Sequence, residues 1–233
     1  MKTNDLVILD HPTGTISDPF GLILDSAHDK RVLNVGAAGN ASVYADINPN
    51  QWLHARLAKT ASVLVGLDLD IDEISAAKAL GFDIQCGNCE TAKLGQSFDL
   101  IVMSDVLEHV GNPVAALHNM FDHLEPDGKI IITTPNATFL GNILKGILRL
   151  SPSVYWDHVQ TYLPENIQAL CDREGWLLEK TLFFTLSDQR SIQTRLKSIV
   201  VRGICTAFPR FHSAFLCLIS APSQTTANIS SRM

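Results

Sequence analysis

The sequence predicts a single α/β domain built on a mostly parallel sheet with helices on both faces. Two observations predict it. Apolar runs of strand length alternate with helical stretches, and several runs are continuous, as in strands buried on both sides. A glycine-bearing turn, Gly36-Ala37-Ala38-Gly39, follows the first such run directly. With 233 residues, 46% of them hydrophobic and 18% charged, the chain can bury one sizeable core.

The elements follow in order. Arg31 to Gly36 (RVLNVG) is the first strand, and a helix around Gln51 to Thr60 comes after the break at Pro49. Ser62 to Leu69 is the second strand. Asp70 stands where it can cap a helix over Ile71 to Leu80, and Gly81 ends that helix. Phe82 to Cys86 is the third strand. Phe98 to Ser104, almost wholly apolar, is the fourth and belongs in the centre of the sheet.

Pro113 opens a helix in which Val114, Leu117, Phe121 and Leu124 share one face. Pro126-Asp127-Gly128 is a turn into the fifth strand, Lys129 to Thr134. Beyond it lie an amphipathic helix (Leu140 to Leu150), an aromatic loop (Tyr155-Trp156-Asp157-His158), a helix (Pro164 to Glu174) and a strand (Trp176 to Leu186). A basic amphipathic segment over 188–203 and a last strand, His212 to Ile219, complete the pattern. Residues 1–30 read as an N-terminal extension and 31–222 as the domain, with a lid insertion at about 136–163. The Ser/Thr-rich stretch 223–233 reads as a frayed tail.

Net charge is −6, but its sign is split along the chain. Residues 1–128 carry 7 Lys and Arg against 18 Asp and Glu, whereas 129–233 carry 11 against 6. An acidic first half argues against nucleic acid as a partner, since phosphates want a basic face. The basic remainder leaves room for an anionic acceptor, or for peripheral membrane contact through 188–211. The five cysteines are odd in number and scattered, unlike a disulfide framework. The N-terminus has no long apolar core, so a cytoplasmic location is expected.

Three features gather on one rim of the predicted sheet. Glycines after the first strand allow backbone N–H groups to approach a ligand. Asp68 ends the second strand, where a carboxylate can accept ribose hydroxyls. Ser104-Asp105 ends the fourth strand, beside the first if the strand order reverses there. A dinucleotide fold wants Gly-x-Gly-x-x-Gly with an acidic residue about 20 positions on. Here only Gly36 and Gly39 are glycine, and Asp68 comes later, so a nicotinamide reductase is disfavoured.

The strings VLNVGAAGN, VGLDLD, GFDIQCGNCE, FDLIVMSDVLEHVGNP and LEPDGKIIITTPN together resemble the class I S-adenosylmethionine-dependent methyltransferase family. They lie close to its branch of ubiquinone-type O-methyltransferases. The resemblance covers about residues 31–136, and DVLEHV followed by Pro113 is its most specific piece. It implies a Rossmann-like three-layer sandwich, with a seven-stranded, mostly parallel sheet and an antiparallel last strand. It also implies S-adenosylmethionine as cofactor and methyl transfer, at an oxygen, to a small molecule, a lipid-linked intermediate or a glycan.

Carried over residue by residue, the resemblance implies that Gly36 and Gly39 line the methionine part of the cofactor. Asp68 would hold the ribose and Leu69 would lie against the adenine. Asn88 and Cys89 would occupy the loop facing the adenine amino group, and Ser104 would sit near the methionine amino group and the sulfonium. Asn34 stands at a cofactor-binding position where the family usually has Asp. Ala38 replaces a glycine and Asn88 a frequent Asp, so a non-catalytic binding protein with this fold is the alternative reading.

Methyl transfer is an in-line displacement that chiefly needs alignment, with a general base where the acceptor is a hydroxyl. Candidates are His158 in the aromatic loop and the pair Glu108-His109 after the fourth strand. Each also has a plainer reading, His158 as a lid latch and Glu108-His109 as loop-shaping residues. Cys86-Gly87-Asn88-Cys89 has no second Cys-x-x-Cys to complete a metal set, so no metal is expected. His118 and His123 are expected on a solvated helix face.

Overall fold

The computed structural model describes residues 6–185 and 203–221. Its strands are β1 (Thr13–Thr15), β2 (Arg31–Val35), β3 (Val63–Asp68), β4 (Ile84–Cys86), β5 (Phe98–Ser104), β6 (Leu124–Pro135), β7 (Leu177–Phe184) and β8 (Ala214–Ser220). The helices are α1 (Pro19–Ala27), α2 (Ala41–Ile47), α3 (Leu53–Leu57), α4 (Ile71–Ala79), α5 (Pro113–Phe121), α6 (Leu140–Ile147) and α7 (Pro164–Glu174). Most of the basic segment at 188–203 and the tail from 223 lie outside the described residues.

The strands form one sheet in the order β1-β7-β8-β6-β5-β2-β3-β4. β8 runs antiparallel to both neighbours, and every other pairing is parallel. The order reverses between β2 and β5, which opens a crevice at their carboxyl ends.

The sheet is buried on both faces because consecutive residues of its central strands, such as Leu100 to Met103 of β5, are apolar. On one face Leu33, Ile101, Met103, Ile130 and Ile132 pack with Leu117 and Met120 of α5 and Ile167 of α7. On the other, Val32, Leu100, Val102 and Ile131 pack with Ile23 and Ala27 of α1. Alternate residues of β5 thus serve opposite cores, the period of two that a pleated strand imposes. Truncating a fully buried residue such as Ile101 to Ala would cost about 2–5 kcal/mol.

Caps set the helix starts. Asp18, Asp70 and Asn112 each accept from amides of the first turn of α1, α4 and α5. Gly175 ends α7 in the left-handed conformation, φ 78°.

The sheet departs from the sequence expectation in strand count. It has eight strands rather than seven, because Thr13–Thr15 pairs with β7 as an added edge. Two helices, α2 and α3, stand where one was expected after the glycine turn, and the Ser42 backbone N–H and hydroxyl both bond Glu73 of α4. Pro126-Asp127-Gly128 does not separate two elements. It is a bulge inside β6, where the pairing slips between Phe98 and Leu100 and Asp127 takes φ 67°.

His123 is buried rather than solvated. Its Nδ1 lies 2.6 Å from Asn119 O, and its Nε2 accepts from Leu94 N. His118 pairs with Glu174 and packs edge-on against Trp176. Leu94 and Glu174, the partners of His123 Nε2 and His118 Nε2, lie far along the chain, which helical spacing does not reveal. The cysteines are all free. Cys86 is exposed on β4, and Cys89, Cys171, Cys205 and Cys217 are buried. Burial pushes the Cys89 thiol up to about 11 and those of Cys171 and Cys217 up to about 12.

Candidate active site

The site begins where β2 stops. Gly36 turns the chain at φ 69°, and a Cβ there would lie 2.6 Å from Val106 Cγ2. Glycine is required on both counts. The amides of Gly36 and Ala37 donate to Leu67 O at 2.9 and 3.2 Å, which pins the turn to the end of β3. One residue further, Asp68 Oδ2 accepts from Ala38 N at 2.8 Å and from Gly39 N at 3.4 Å. Its Oδ1 accepts from Leu69 N and Asp70 N at 2.7 and 3.0 Å. The glycine turn and the Asp68 carboxylate therefore share one edge of the sheet.

A cavity of about 520 Å³ opens beside them, within the range of small-molecule sites. Gly36, Gly39, Asp68, Leu69, Asn88 and Cys89 all line it. Asn88 is held by its Oδ1, which accepts from Glu90 N at 2.8 Å. A second cavity of about 380 Å³ is walled by Phe20, Asn34, Tyr44, Leu53, His54 and Ser104. The two share Gly36, Gly39, Asn40, Asp105, His109 and Asp157 as lining.

Asn34 and Ser104 thus face the second cavity rather than the first. Asn34 Nδ2 donates to His54 Nδ1 at 3.2 Å, and burial pushes the His54 imidazole down to about 4. The ring is neutral at physiological pH, as an accepting Nδ1 requires. Ser104 Oγ lies 2.9 Å from Thr133 Oγ1.

At the junction of the cavities, Asp105 takes a left-handed backbone, φ 53°, held by its N–H to Thr133 O at 2.9 Å. It sits deep in the cleft with its surface turned to the cavities. That depth pushes its carboxyl above the usual range, opposed by the Thr133 hydroxyl and by His158 and His109. Glu108, in the one-turn helix Leu107–His109, is only 1% exposed. Thr134 Oγ1 donates to its Oε2 at 3.0 Å, and Oε1 has no partner among the described residues. Burial, with the Asp105 charge adding to it, pushes the Glu108 carboxyl up to about 8.

The segment from Asp157 to Gln160 is fastened to this turn. Val159 N and Gln160 N donate to Glu108 O, and Gln160 Nε2 donates to Val110 O. The fastening brings Asp157 to His109, whose Nδ1 lies 3.2 Å from the Asp157 carbonyl and 3.3 Å from its carboxylate. His158 packs edge-on against His109, with ring centroids 4.7 Å apart. Burial and His109 push the His158 imidazole down.

Of the three candidate bases, His109 lines both cavities, while Glu108 and His158 stand behind it. Ligand atoms of Glu108, His109 and His158 lie within 4.8 Å of one another, a spacing that one divalent cation can bridge. Sequence reasoning missed Asp157, Phe20, Tyr44 and His54, which reach the site through tertiary packing. It marked Asp105 only as part of the rim, although a non-glycine residue in left-handed conformation often signals a functional site.

A family model described as a methyltransferase domain matches residues 23–181 of this chain. The chain belongs to the class I S-adenosylmethionine-dependent methyltransferase family. Over 158 residues it is 27% identical to the ubiquinone biosynthesis O-methyltransferase of Coxiella burnetii, covering 63% of this chain. The chain spans 63% of that relative's length.

Among solved structures, it is similar to a SAM-dependent methyltransferase from Archaeoglobus fulgidus at 15% identity and TM-score 0.53, covering 86% of this chain and 93% of that one. It is also similar to the magnesium protoporphyrin IX methyltransferase of Synechocystis with bound SAH, at 14% identity and TM-score 0.55, covering 87% and 82%. At these identities the likeness is one of fold.

Proposed function

We propose that the protein transfers a methyl group from S-adenosylmethionine to a hydroxyl oxygen of a small, lipid-linked or glycan acceptor. The observation that carries this reading is the meeting of two cavities at Asp105, His109 and Asp157. One has the makings of a nucleoside site, with bare backbone at Gly36 and Gly39 and a carboxylate at Asp68. The other, with Phe20 and Tyr44 in its wall, suits an acceptor ring.

The first cavity fits the cofactor by the chemistry of its donors and by the absence of a Cβ at Gly36. Gly36 and Gly39 would hold its methionine part, Asp68 its ribose, and Leu69, Asn88 and Cys89 its adenine. Bound there, it supplies an electrophilic methyl on a sulfonium. His109, oriented by Asp157, accepts the acceptor's hydroxyl proton. Asp105 turns a carboxylate toward the junction, where it favours positive charge. The backbone of Val159 and Gln160, bonded to Glu108 O, fixes Asp157 beside His109 at the junction. The relative's role in ubiquinone biosynthesis favours a phenolic hydroxyl over an alcohol.

Calorimetry with S-adenosylhomocysteine and with NADH tests the cofactor, and turnover on a panel of phenols then tests the reaction. Tight binding of the first ligand alone, followed by methylation of a phenol, is the expected result. Binding without turnover on any hydroxyl acceptor would leave a non-catalytic binding protein instead.

A further inference from the structure

The helix α6 has no buried residue, although four of its eight positions are Leu or Ile. Leu140, Ile143, Leu144 and Ile147 recur at the spacing of one helical stripe. The apolar surface continues past the helix through Leu148, Leu150, Val154, Tyr155 and Trp156, the last 96% exposed. So large a run of exposed apolar side chains marks a surface that another phase or molecule covers.

The polar groups of this element are already engaged with their own loop. Asn142 Oδ1 accepts from Ser153 N at 3.0 Å, its Nδ2 donates to Ser153 O at 3.4 Å, and Lys145 Nζ donates to Ser153 Oγ. What remains outward is hydrocarbon, the Tyr155 and Trp156 rings and the Arg149 side chain, and Lys145 keeps its charge because its Ser153 partner is neutral. Residues 136–156 contain Lys145 and Arg149 and no Asp or Glu, in a chain of net charge −6. Among the described residues neither cation makes an ion pair. A protein partner would want hydrogen-bonding groups at its rim. A lipid headgroup layer takes an apolar stripe, Trp and Tyr at headgroup depth, and cations facing anionic phosphates.

We infer that α6 and the loop through Trp156 dock on an anionic membrane surface. The next residue, Asp157, lines both cavities, so docking sets the cavity mouth against the bilayer. A membrane-dissolved acceptor could then enter without crossing water. This last step rests on the methyltransferase reading, whereas the docking itself does not.

Co-sedimentation of the full chain with phosphatidylglycerol-containing vesicles and with pure phosphatidylcholine vesicles tests it. The protein pellets with the anionic vesicles, and added salt weakens the association. Ile147→Asp with Trp156→Ala, and separately Lys145→Glu with Arg149→Glu, each reduce binding by roughly tenfold or more. Both double variants keep wild-type melting temperatures and S-adenosylhomocysteine affinity, because the changed side chains are on the surface. Three results would overturn the inference: no pelleting of the wild type, equal pelleting of the variants, or a wild-type dimer that the Ile147→Asp pair makes monomeric. Loss of S-adenosylhomocysteine binding in the wild type would instead strike the methyltransferase reading and leave the vesicle result standing.

Discussion

The carboxylate of Asp68 accepts the amide of Ala38 at 2.8 Å, so the end of β3 is tied to the glycine turn that follows β2. The same side chain is the ribose ligand of the proposed site, and it must share its oxygens between loop and ligand. Asp68→Ala is expected to weaken S-adenosylhomocysteine binding by roughly 10- to 100-fold, the worth of a charge-assisted hydrogen bond. It should also lower the melting temperature, because the turn loses its acceptor. Asp68→Asn, which keeps one acceptor oxygen, falls between. Calorimetry and a thermal melt report the two effects separately, and an unchanged affinity in Asp68→Ala would remove the ribose role.

His109 faces both cavities, whereas His158 stacks on its edge. His109→Ala should lower kcat by about 100-fold or more, the usual contribution of a general base. The Michaelis constant for S-adenosylmethionine should stay nearly unchanged. His158→Ala should cost less in kcat and also leave cofactor affinity intact. Steady-state kinetics on both variants decides between them. A larger loss in His158→Ala would exchange their roles.

Glu108 is buried with its carboxyl raised to about 8 from an ordinary 4.5. Between those values the unfolded chain gives up a proton that the folded chain keeps. Stability therefore falls as pH rises through this window, and flattens above about pH 8. Glu108→Gln keeps an acceptor for the Thr134 hydroxyl and cannot ionise. Denaturant titrations from pH 5 to pH 9 should show a shallower decline in the variant. Identical slopes in the two proteins would mean that Glu108 ionises as freely folded as unfolded.

Gly36 meets Val106 where a side chain would stand, and its φ of 69° already disfavours one. Gly36→Ala should destabilise the protein by about 1–3 kcal/mol and reduce cofactor binding. Adding Val106→Ala relieves the clash but not the backbone strain, so part of the lost stability returns and part does not. Full recovery would show that the clash alone excluded a side chain.

Much of this molecule can be read from residue order. β2, β3 and β5 announce themselves as largely apolar runs, and Gly36 and Asp68 mark the carboxyl ends of the first two. What escapes reading depends on partners far along the chain. β1 is three residues of Thr-Gly-Thr, with no apolar pattern, and becomes a strand only because β7 offers an edge. The α1 helix did carry a signal, Asp18-Pro19 before an apolar run, the mark of an N-cap with proline at the first helical position. The second cavity had none, because Phe20, Tyr44 and His54 look like ordinary helix residues until the sheet gathers them. Asn34 bonds His54, a pairing 20 residues apart that no local spacing encodes.

The unequal burial of the five thiols has a practical consequence. Four are shielded by packing, while Cys86 stands in the open on β4, directly across the ladder from Asp68. A maleimide dye would attach at that one position in the native chain, a single rung from the proposed ribose contact. The wild-type protein thus carries its own attachment point for an optical gauge of nucleoside occupancy, with no engineered residue needed.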